Sequence, residues 1–256
     1  MAWKLYEGNC FDHFHKIEDH SIDMILCDPP YGATQNNWDS TIPLNPLWEE
    51  YKRIIKDNGA ILLFGCEPFS SKLRLSNLAM YRYDWIWHKT RAGGFLNASR
   101  MPLISHELIS VFYKKLPTYN PQMEKGEPYT KKTPNNGDGR NYGNFNRENT
   151  TKTNEGYRFP RSVISFSNNN YKSLHPTQKP LELFEYLIKT YTNEGDLVLD
   201  NCAGSGTTGV AAEITGRNSI LMEKKPEYCQ IIKDRLSDIN LDQYQPQRTH
   251  IPLTDF

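Results

Sequence analysis

Short apolar runs alternate along this chain with stretches whose apolar residues recur at helical spacing. Ile22-Asp23-Met24-Ile25-Leu26-Cys27 reads as a buried parallel strand, and Ala60 to Phe64, Leu197-Val198-Leu199 and Asn218 to Met222 follow the same pattern. Leu44 to Lys56 carries Leu47, Tyr51, Ile54 and Ile55 on one helical face, with Asn58-Gly59 as its stop. Pro68 to Leu78 also reads as a helix. So do Leu181 to Tyr191 (Leu183, Leu187 and Ile188 on one face), Thr207 to Thr215 closed by Gly216, and Pro226 to Ile239 with proline in its first turn. Tyr83 to His88 and Leu108 to Tyr113 read as strands. A short strand, a turn at Gly8 and a short helix near 11–17 precede the first buried run. This rhythm predicts an α/β fold built on a mostly parallel, twisted sheet.

The rhythm breaks in two places. Residues 32–41 form a polar loop beside the first buried strand, placed as a lid would be. Residues 114–172 are rich in Asn, Thr, Gly and Tyr, with hardly an aliphatic run before Ser162-Val163-Ile164. Eleven basic residues there face five acidic ones. Lys131, Lys132, Arg140, Arg147, Arg158 and Arg161 are interleaved with aromatic residues such as Tyr129, Tyr142 and Tyr157. That mixture suits phosphate contact, base stacking and base-edge hydrogen bonding, although a solvated surface insertion has the same composition. The organisation predicted is 1–113 as one half of a domain, 114–172 as an insertion, 173–240 as the other half, and 241–256 as an irregular tail.

Over all 256 residues, thirty basic side chains balance thirty acidic ones, so a nucleic-acid partner has to be met by a local field. No apolar run approaches the length of about 18 residues that a membrane span needs. The five cysteines are scattered, with no Cys-x-x-Cys. An odd count and no signal peptide point to a reducing cytoplasm. His13, His15, His20 and Cys10 repeat no ligand spacing, so no metal is expected.

Asp28-Pro29-Pro30-Tyr31 stands just past the carboxyl end of the first buried strand, where open α/β sheets bind ligands. Two prolines stiffen the turn and remove two donors. Asp28 and the Pro29 carbonyl then offer a rigid pair of acceptors beside a flat ring, Tyr31, which matches an exocyclic amine on a planar base. A strand-ending turn with a local Asp cap is the plainer alternative. In the second half, Asp200-Asn-Cys202-Ala-Gly204-Ser205-Gly206-Thr207-Thr208 is a strand end, a glycine turn and a helix start. Glu223 ends the next strand, placed to accept both ribose hydroxyls of an adenosine. Gly209 falls where a dinucleotide loop wants its third glycine, but the carboxylate of Asp200 at the loop entrance disfavours a pyrophosphate. It suits a sulfonium and an ammonium, which points to S-adenosyl-L-methionine rather than a nicotinamide dinucleotide. His175-Pro176-Thr177-Gln178-Lys179-Pro180 leads into the preceding helix. Thr177 offers a hydroxyl and Lys179 a partner for a ligand carboxylate.

Taken together these residues resemble the β-group amino DNA methyltransferases, in which Asp-Pro-Pro-Tyr is followed by a target-recognition region, then His-Pro-Thr-Gln-Lys-Pro and the cofactor glycine loop. The chain shows that order at 28–31, 114–172, 175–180 and 200–208, and the resemblance spans roughly 4–238. Gly8-Asn9-Cys10 looks like the short segment that contacts the cofactor adenine, with Asn9 where Asp is commoner. Asn201-Cys202 stands where Pro-Phe is usual. Trp87-His88-Lys89 and His106-Glu107-Leu108 also look familiar in place. The short form, with Gly32 after Tyr31, looks like bacteriophage-encoded members.

The resemblance implies a single Rossmann-like S-adenosyl-L-methionine-dependent methyltransferase domain with an inserted target-recognition region. It implies methyl transfer to the N6 amine of adenine in double-stranded DNA, after base flipping and by direct attack. Asp28, Pro29, Pro30 and Tyr31 are then catalytic. Asn9, Cys10, Asp28, His175, Pro176, Thr177, Lys179, Asp200, Cys202, Gly204 to Thr208 and Glu223 then serve the cofactor. A homodimer and a cognate restriction nuclease are further expected partners. Cytosine-N4 methylation, RNA adenine methylation and a DNA-binding relative without turnover stay open as alternatives.

Overall fold

Alternate residues of Ile22–Cys27 are buried on opposite sides of a sheet: Ile25 and Cys27 join one apolar cluster, Met24 and Leu26 the other. A strand covered on both faces is mostly apolar, and the one charged residue of this run, Asp23, is partly buried and held by Lys56 at 2.6 Å and the Leu197 amide at 3.0 Å. In the computed structural model, which describes residues 3–32, 42–133, 150–168 and 178–239, this strand is the second of twelve. The strands are β1 (Trp3–Glu7), β2 (Ile22–Cys27), β3 (Ile55–Gly65), β4 (Tyr81–Gly93), β5 (Ile104–Phe112), β6 (Glu124–Lys125), β7 (Tyr129–Thr133), β8 (Thr150–Asn154), β9 (Tyr157–Arg158), β10 (Val163–Phe166), β11 (Leu197–Asp200) and β12 (Asn218–Glu223). The α-helices are α1 (Leu44–Ile54), α2 (Phe69–Ser76), α3 (Leu181–Tyr191), α4 (Thr207–Ile214) and α5 (Pro226–Ser237).

Eight strands form one sheet in the order β1-β12-β11-β2-β3-β5-β4-β10. Only β5 runs antiparallel to its neighbours; every other pairing is parallel. Leu47, Tyr51 and Ile54 of α1 and Phe69 and Leu73 of α2 pack on one face. Leu183, Phe184, Leu187, Ile188 and Tyr191 of α3, with Ala211 and Ala212 of α4, pack on the other. Helices on both faces of a mostly parallel sheet make this the doubly wound α/β fold that the alternation predicts.

Several boundaries differ from the sequence reading. The short helix near 11–17 is two 3-10 turns, Cys10–Asp12 and Phe14–Lys16. Helix α1 stops at Ile54, and Asn58-Gly59 lies inside β3, at a register irregularity against β2. A Cβ on Gly59 would lie 2.8 Å from the Asp23 carbonyl oxygen, so the glycine serves a close backbone approach within the sheet, not a helix stop. The hairpin β4–β5 runs well past the predicted Tyr83–His88 and Leu108–Tyr113, because the added strand segments, Lys89–Gly93 and Ile104–Glu107, are mostly polar and lack the apolar alternation of a half-buried strand.

Residues Pro121–Arg161 form a second compact unit, narrower than the 114–172 insertion read from composition. On the carboxyl side, Val163–Phe166 is the edge strand β10 of the main sheet, paired parallel with β4. On the amino side, the Asn120 side-chain amide donates to the Lys189 and Thr192 carbonyls at the end of α3, at 3.2 and 3.0 Å. The second unit is built on two antiparallel pairs, β6–β9 and β7–β8. Most of the 32–41 loop, and the tail from 240 onward, lie outside the described residues.

Candidate active site

The carboxyl ends of β2, β11 and β12 open into one cavity of about 970 Å³. Because β11 is the sheet neighbour of both β2 and β12, the residues that follow these strands meet although they are far apart in sequence. Asn9, Cys10, Asp28, Pro29, Pro30, Tyr31, Lys179, Asp200, Cys202, Gly204, Ser205, Thr207, Thr208 and Glu223 all line this cavity. Gly206 lies within the same turn. His175, Pro176 and Thr177 lie outside the described residues.

Asp28 is the hub of a partly buried polar cluster. Tyr31 donates its hydroxyl hydrogen to Asp28 Oδ1, and Lys179 Nζ donates to Oδ2 at 2.7 Å. Lys179 also meets Glu107 Oε2 at 3.2 Å, and Glu107 Oε1 accepts from Lys89 Nζ at 3.0 Å. The sequence reading gave Lys179 to a ligand carboxylate; here its ammonium is between two protein carboxylates. Burial alone would favour neutral Lys179, but Asp28 and Glu107 outweigh it and raise its pKa above the ordinary value. Glu107 shows the converse. Burial pushes it up, Lys179 and Lys89 pull it down, and the net shift is downward. Burial, with Asp28 and Glu107 nearby, holds the Tyr31 hydroxyl well above its usual value, so it stays a donor. The Tyr31 ring lies 5.2 Å from that of Phe69, tilted by 33°.

On the other wall, burial pushes Asp200 up to about 7. The Thr208 hydroxyl donates to one of its oxygens, and the Cys202 amide donates to the other at 3.0 Å. Glu223, also raised by burial, accepts from the Gly204 and Lys225 amides at 2.8 Å each, which fixes the glycine turn to the end of β12. Gly206 has φ of 79°, the left-handed region that glycine enters at least cost. Asn201 accepts from the Tyr51 hydroxyl at 2.6 Å, tying this turn to α1. Asn9 caps the first 3-10 turn by accepting from the Phe11 amide at 3.2 Å. A wall with two buried carboxylates, one of them titrating near neutrality, fits a cationic ligand better than a pyrophosphate.

In the second unit, Lys131 and Lys132 are exposed on β7, and Arg161 is exposed at the unit's end. Arg158 is engaged internally. It donates to Asn154 Oδ1 and to the Glu127 carbonyl, and its guanidinium lies 4.6 Å from the centre of the Tyr129 ring. Arg140 and Arg147 lie outside the described residues.

Sequence reasoning left Glu107 and Lys89 without a role. Both sit in segments singled out by resemblance, but their meeting depends on the β4–β5 register, in which Trp87 pairs with Glu107 and His88 with His106.

A family described as DNA methylase matches residues 22–234. The Type II methyltransferase M.HpaI of Haemophilus parainfluenzae is 31% identical over 251 residues, covering 92% of this chain and 74% of its own. The Type II methyltransferase M2.MboI of Moraxella bovis is 29% identical, covering 93% and 88%. Among solved structures, a complex of M1.HpyAVI with SAM superposes with a TM-score of 0.62 at 25% identity, over 91% of this chain and 100% of the other. The cytosine-N4-specific PvuII DNA methyltransferase shares the fold, with a TM-score of 0.66 at 15% identity over 94% and 89%.

Proposed function

The chain belongs to the DNA methylase family, and on that premise we propose that it methylates the N6 amine of adenine in DNA, with the Asp28 turn as its catalytic centre. The observation that supports this most is the position of Asp28: at the carboxyl end of β2, in one cavity with the Asp200 glycine turn and Glu223. Such relatives as M.HpaI and M2.MboI are Type II methyltransferases, which supports a place in restriction and modification.

S-adenosyl-L-methionine, when bound, supplies a methyl group made electrophilic by its sulfonium. The acidic wall described above suits that cation. Glu223 would take the ribose hydroxyls, the Gly204–Gly206 backbone would allow close approach, Asp200 would face positive charge, and Asn9 and Cys10 would border the adenine.

The target amine is a poor nucleophile because its lone pair is delocalised into the ring, and the base must leave the duplex to reach the cavity. Asp28 and the Pro29 carbonyl accept its two N–H groups, favour a more tetrahedral nitrogen and turn the lone pair outward. As the N–C bond forms, positive charge grows on nitrogen and Asp28 stabilises it. One amine proton then leaves towards Asp28. Lys179 is a positioning residue. It holds Asp28 Oδ2 in place and, with Tyr31 on Oδ1, leaves the remaining lone pairs of the carboxylate facing the cavity. Tyr31 also presents its ring to the flipped base.

Asp at the first motif position supports adenine, since the cytosine-N4 enzymes of this type more often carry Ser there. The test is a nucleoside digest of DNA from a methylation-deficient host expressing the chain, read by mass spectrometry, with Asp28→Ala alongside. N6-methyladenine present with the wild type and absent with the variant is expected. N4-methylcytosine would overturn the base. A Kd for the cofactor that collapses in Asp28→Ala would overturn the division of roles.

A further inference from the structure

Beyond the sheet, the β4–β5 hairpin ends in a turn with an unusual surface. Phe95 and Leu96 are 76% and 83% exposed, and Met101, Leu103 and Ile104 are about half exposed, at 51%, 47% and 45%. Isolated apolar residues on a surface are ordinary. Five within ten residues, on the tip of a hairpin, form a patch that calls for a partner.

The tip is a built structure. Phe95–Asn97 is a 3-10 turn entered through left-handed Gly94, with φ of 83°. The amides of Arg100 and Met101 both donate to the Asn97 carbonyl, at 2.8 and 3.0 Å, and fold the turn back on itself. At its base the Asn168 side chain accepts from the Arg91 amide and donates to the Arg91 carbonyl, both at 2.9 Å. This clamps the hairpin to the segment after β10. Phe95 and Leu96 are therefore presented on a stiff support.

Two observations say what the tip meets. Gly93, Gly94 and Ile104 line the same cavity as Asp28, so the apolar tip continues the rim of the catalytic pocket. From Thr90 to Ile104 there is no acidic residue, while Arg91 and Arg100 are exposed and flank the apolar pair. Cations beside an apolar wedge match a duplex, whose phosphates are anionic and whose opened base steps are flat and apolar.

We propose that the 94–101 turn is a wedge that inserts Phe95 or Leu96 into the DNA stack beside the flipped target base. The inference rests on the methylation reading above. Apolar side chains between base steps replace the stacking lost on flipping, so the wedge acts on base extrusion and not on methyl transfer itself.

The test compares the wild type, the double variant Phe95→Ala/Leu96→Ala, and Leu75→Ala as a control for another exposed apolar side chain. Three substrates carry the sequence that the wild type itself modifies: an intact duplex, the same duplex with an abasic site opposite the target, and the single strand. The double variant is expected to lose about tenfold or more in kcat/KM on the intact duplex, and to stay within about twofold of wild type on the other two, where extrusion is already easy. The fluorescence rise of 2-aminopurine at the target position should fall in parallel. Equal rates on all three substrates would overturn the wedge. So would an equal loss on all three, which would place the residues in folding or chemistry. A duplex defect accompanied by dissociation of a dimer in analytical ultracentrifugation would assign the patch to a second copy of the chain. A wild type that modifies no DNA sequence, so that no such substrate exists, would refute the methylation reading, and the wedge with it.

Discussion

Lys179→Met removes one ammonium from the middle of the active-site cluster and leaves the unbranched stem in place. Among the described residues, Asp28 then keeps the Tyr31 hydroxyl as its side-chain partner, and Glu107 keeps Lys89. Two partly buried carboxylates facing one ammonium carry an uncompensated negative charge. Breaking a fully buried pair costs about 3–5 kcal/mol, an upper bound here because Asp28 and Glu107 keep 22% and 16% of their side-chain exposure. At about 2 °C per kcal/mol for a chain of this size, Tm should fall by up to about 6–10 °C. Turnover should fall as well, because Asp28 is freed to turn; a misplacement on the order of 1 Å costs roughly a hundredfold in rate. The pH dependence gives the charge argument its sign. The lowered value of Glu107 contributes stability above its unfolded value of about 4.3, lost as pH falls through the folded value. The raised value of Lys179 contributes stability below its unfolded value of about 10.4, lost as pH rises through the folded one. At neutral pH Glu107 and Lys179 are therefore both charged. In the variant, one bound proton relieves the excess charge, so the deficit in Tm should narrow as pH is lowered from about 7 to about 5. Thermal denaturation across pH, single-turnover methyl transfer and a cofactor titration measure all three. A variant with wild-type turnover would refute the positioning role. A cofactor Kd weakened in step with kcat would return Lys179 to the ligand carboxylate.

Asp200, raised to about 7 by burial, contributes stability that is fully present below its unfolded value of about 3.9 and lost as pH rises through the folded one. Chemical denaturation of the ligand-free protein should show that decline, and Asp200→Asn should flatten it; parallel curves would remove Asp200 as its source. Because a cation favours the ionised acid, cofactor affinity in the wild type should tighten as pH rises through about 7, as calorimetry can show. Gly206→Ala forces a Cβ to 2.9 Å from Ile232 Cγ1 at φ of 79°, and should cost about 1–3 kcal/mol and weaken cofactor binding; wild-type values for both would contradict the tight-turn argument. Lys131→Ala with Lys132→Ala should weaken DNA binding evenly across sequences and lower the slope of log K against log salt by about one per lost phosphate contact; an unchanged slope would move the phosphate contacts elsewhere.

The parallel core was legible because strands buried on both faces leave short, mostly apolar runs: β2, β11 and β12 all stand where those runs are. The edge strand β10 was missed as a strand, since Val163–Phe166 is short and enters from a polar insertion. The ends of β4 and β5 were missed because exposed backbone needs no apolar side chain to form a ladder. In the site, Asp28, Asp200 and Glu223 were readable as strand-end residues, a position that a one-dimensional pattern encodes well. The partnership of Lys179 with Asp28 and Glu107 was not readable. It joins three segments whose proximity is a property of strand order, and a lysine before a helix looks the same in sequence whether it meets a ligand or a carboxylate.

Strand order has a consequence for how the molecule is made. β1 is made long before β12, its neighbour in the sheet among the described residues, and β11 lies between β12 and β2. Until residues 197–223 have left the ribosome, β1 has no partner and β2 keeps one edge open to whatever strand comes by. The Asn9-Cys10 corner and the Asp28 turn then have no common cavity to line. Premature termination anywhere before β12 should therefore give not a weak enzyme but a sticky fragment with an unfinished sheet, and the same order predicts slow, late assembly of the complete chain.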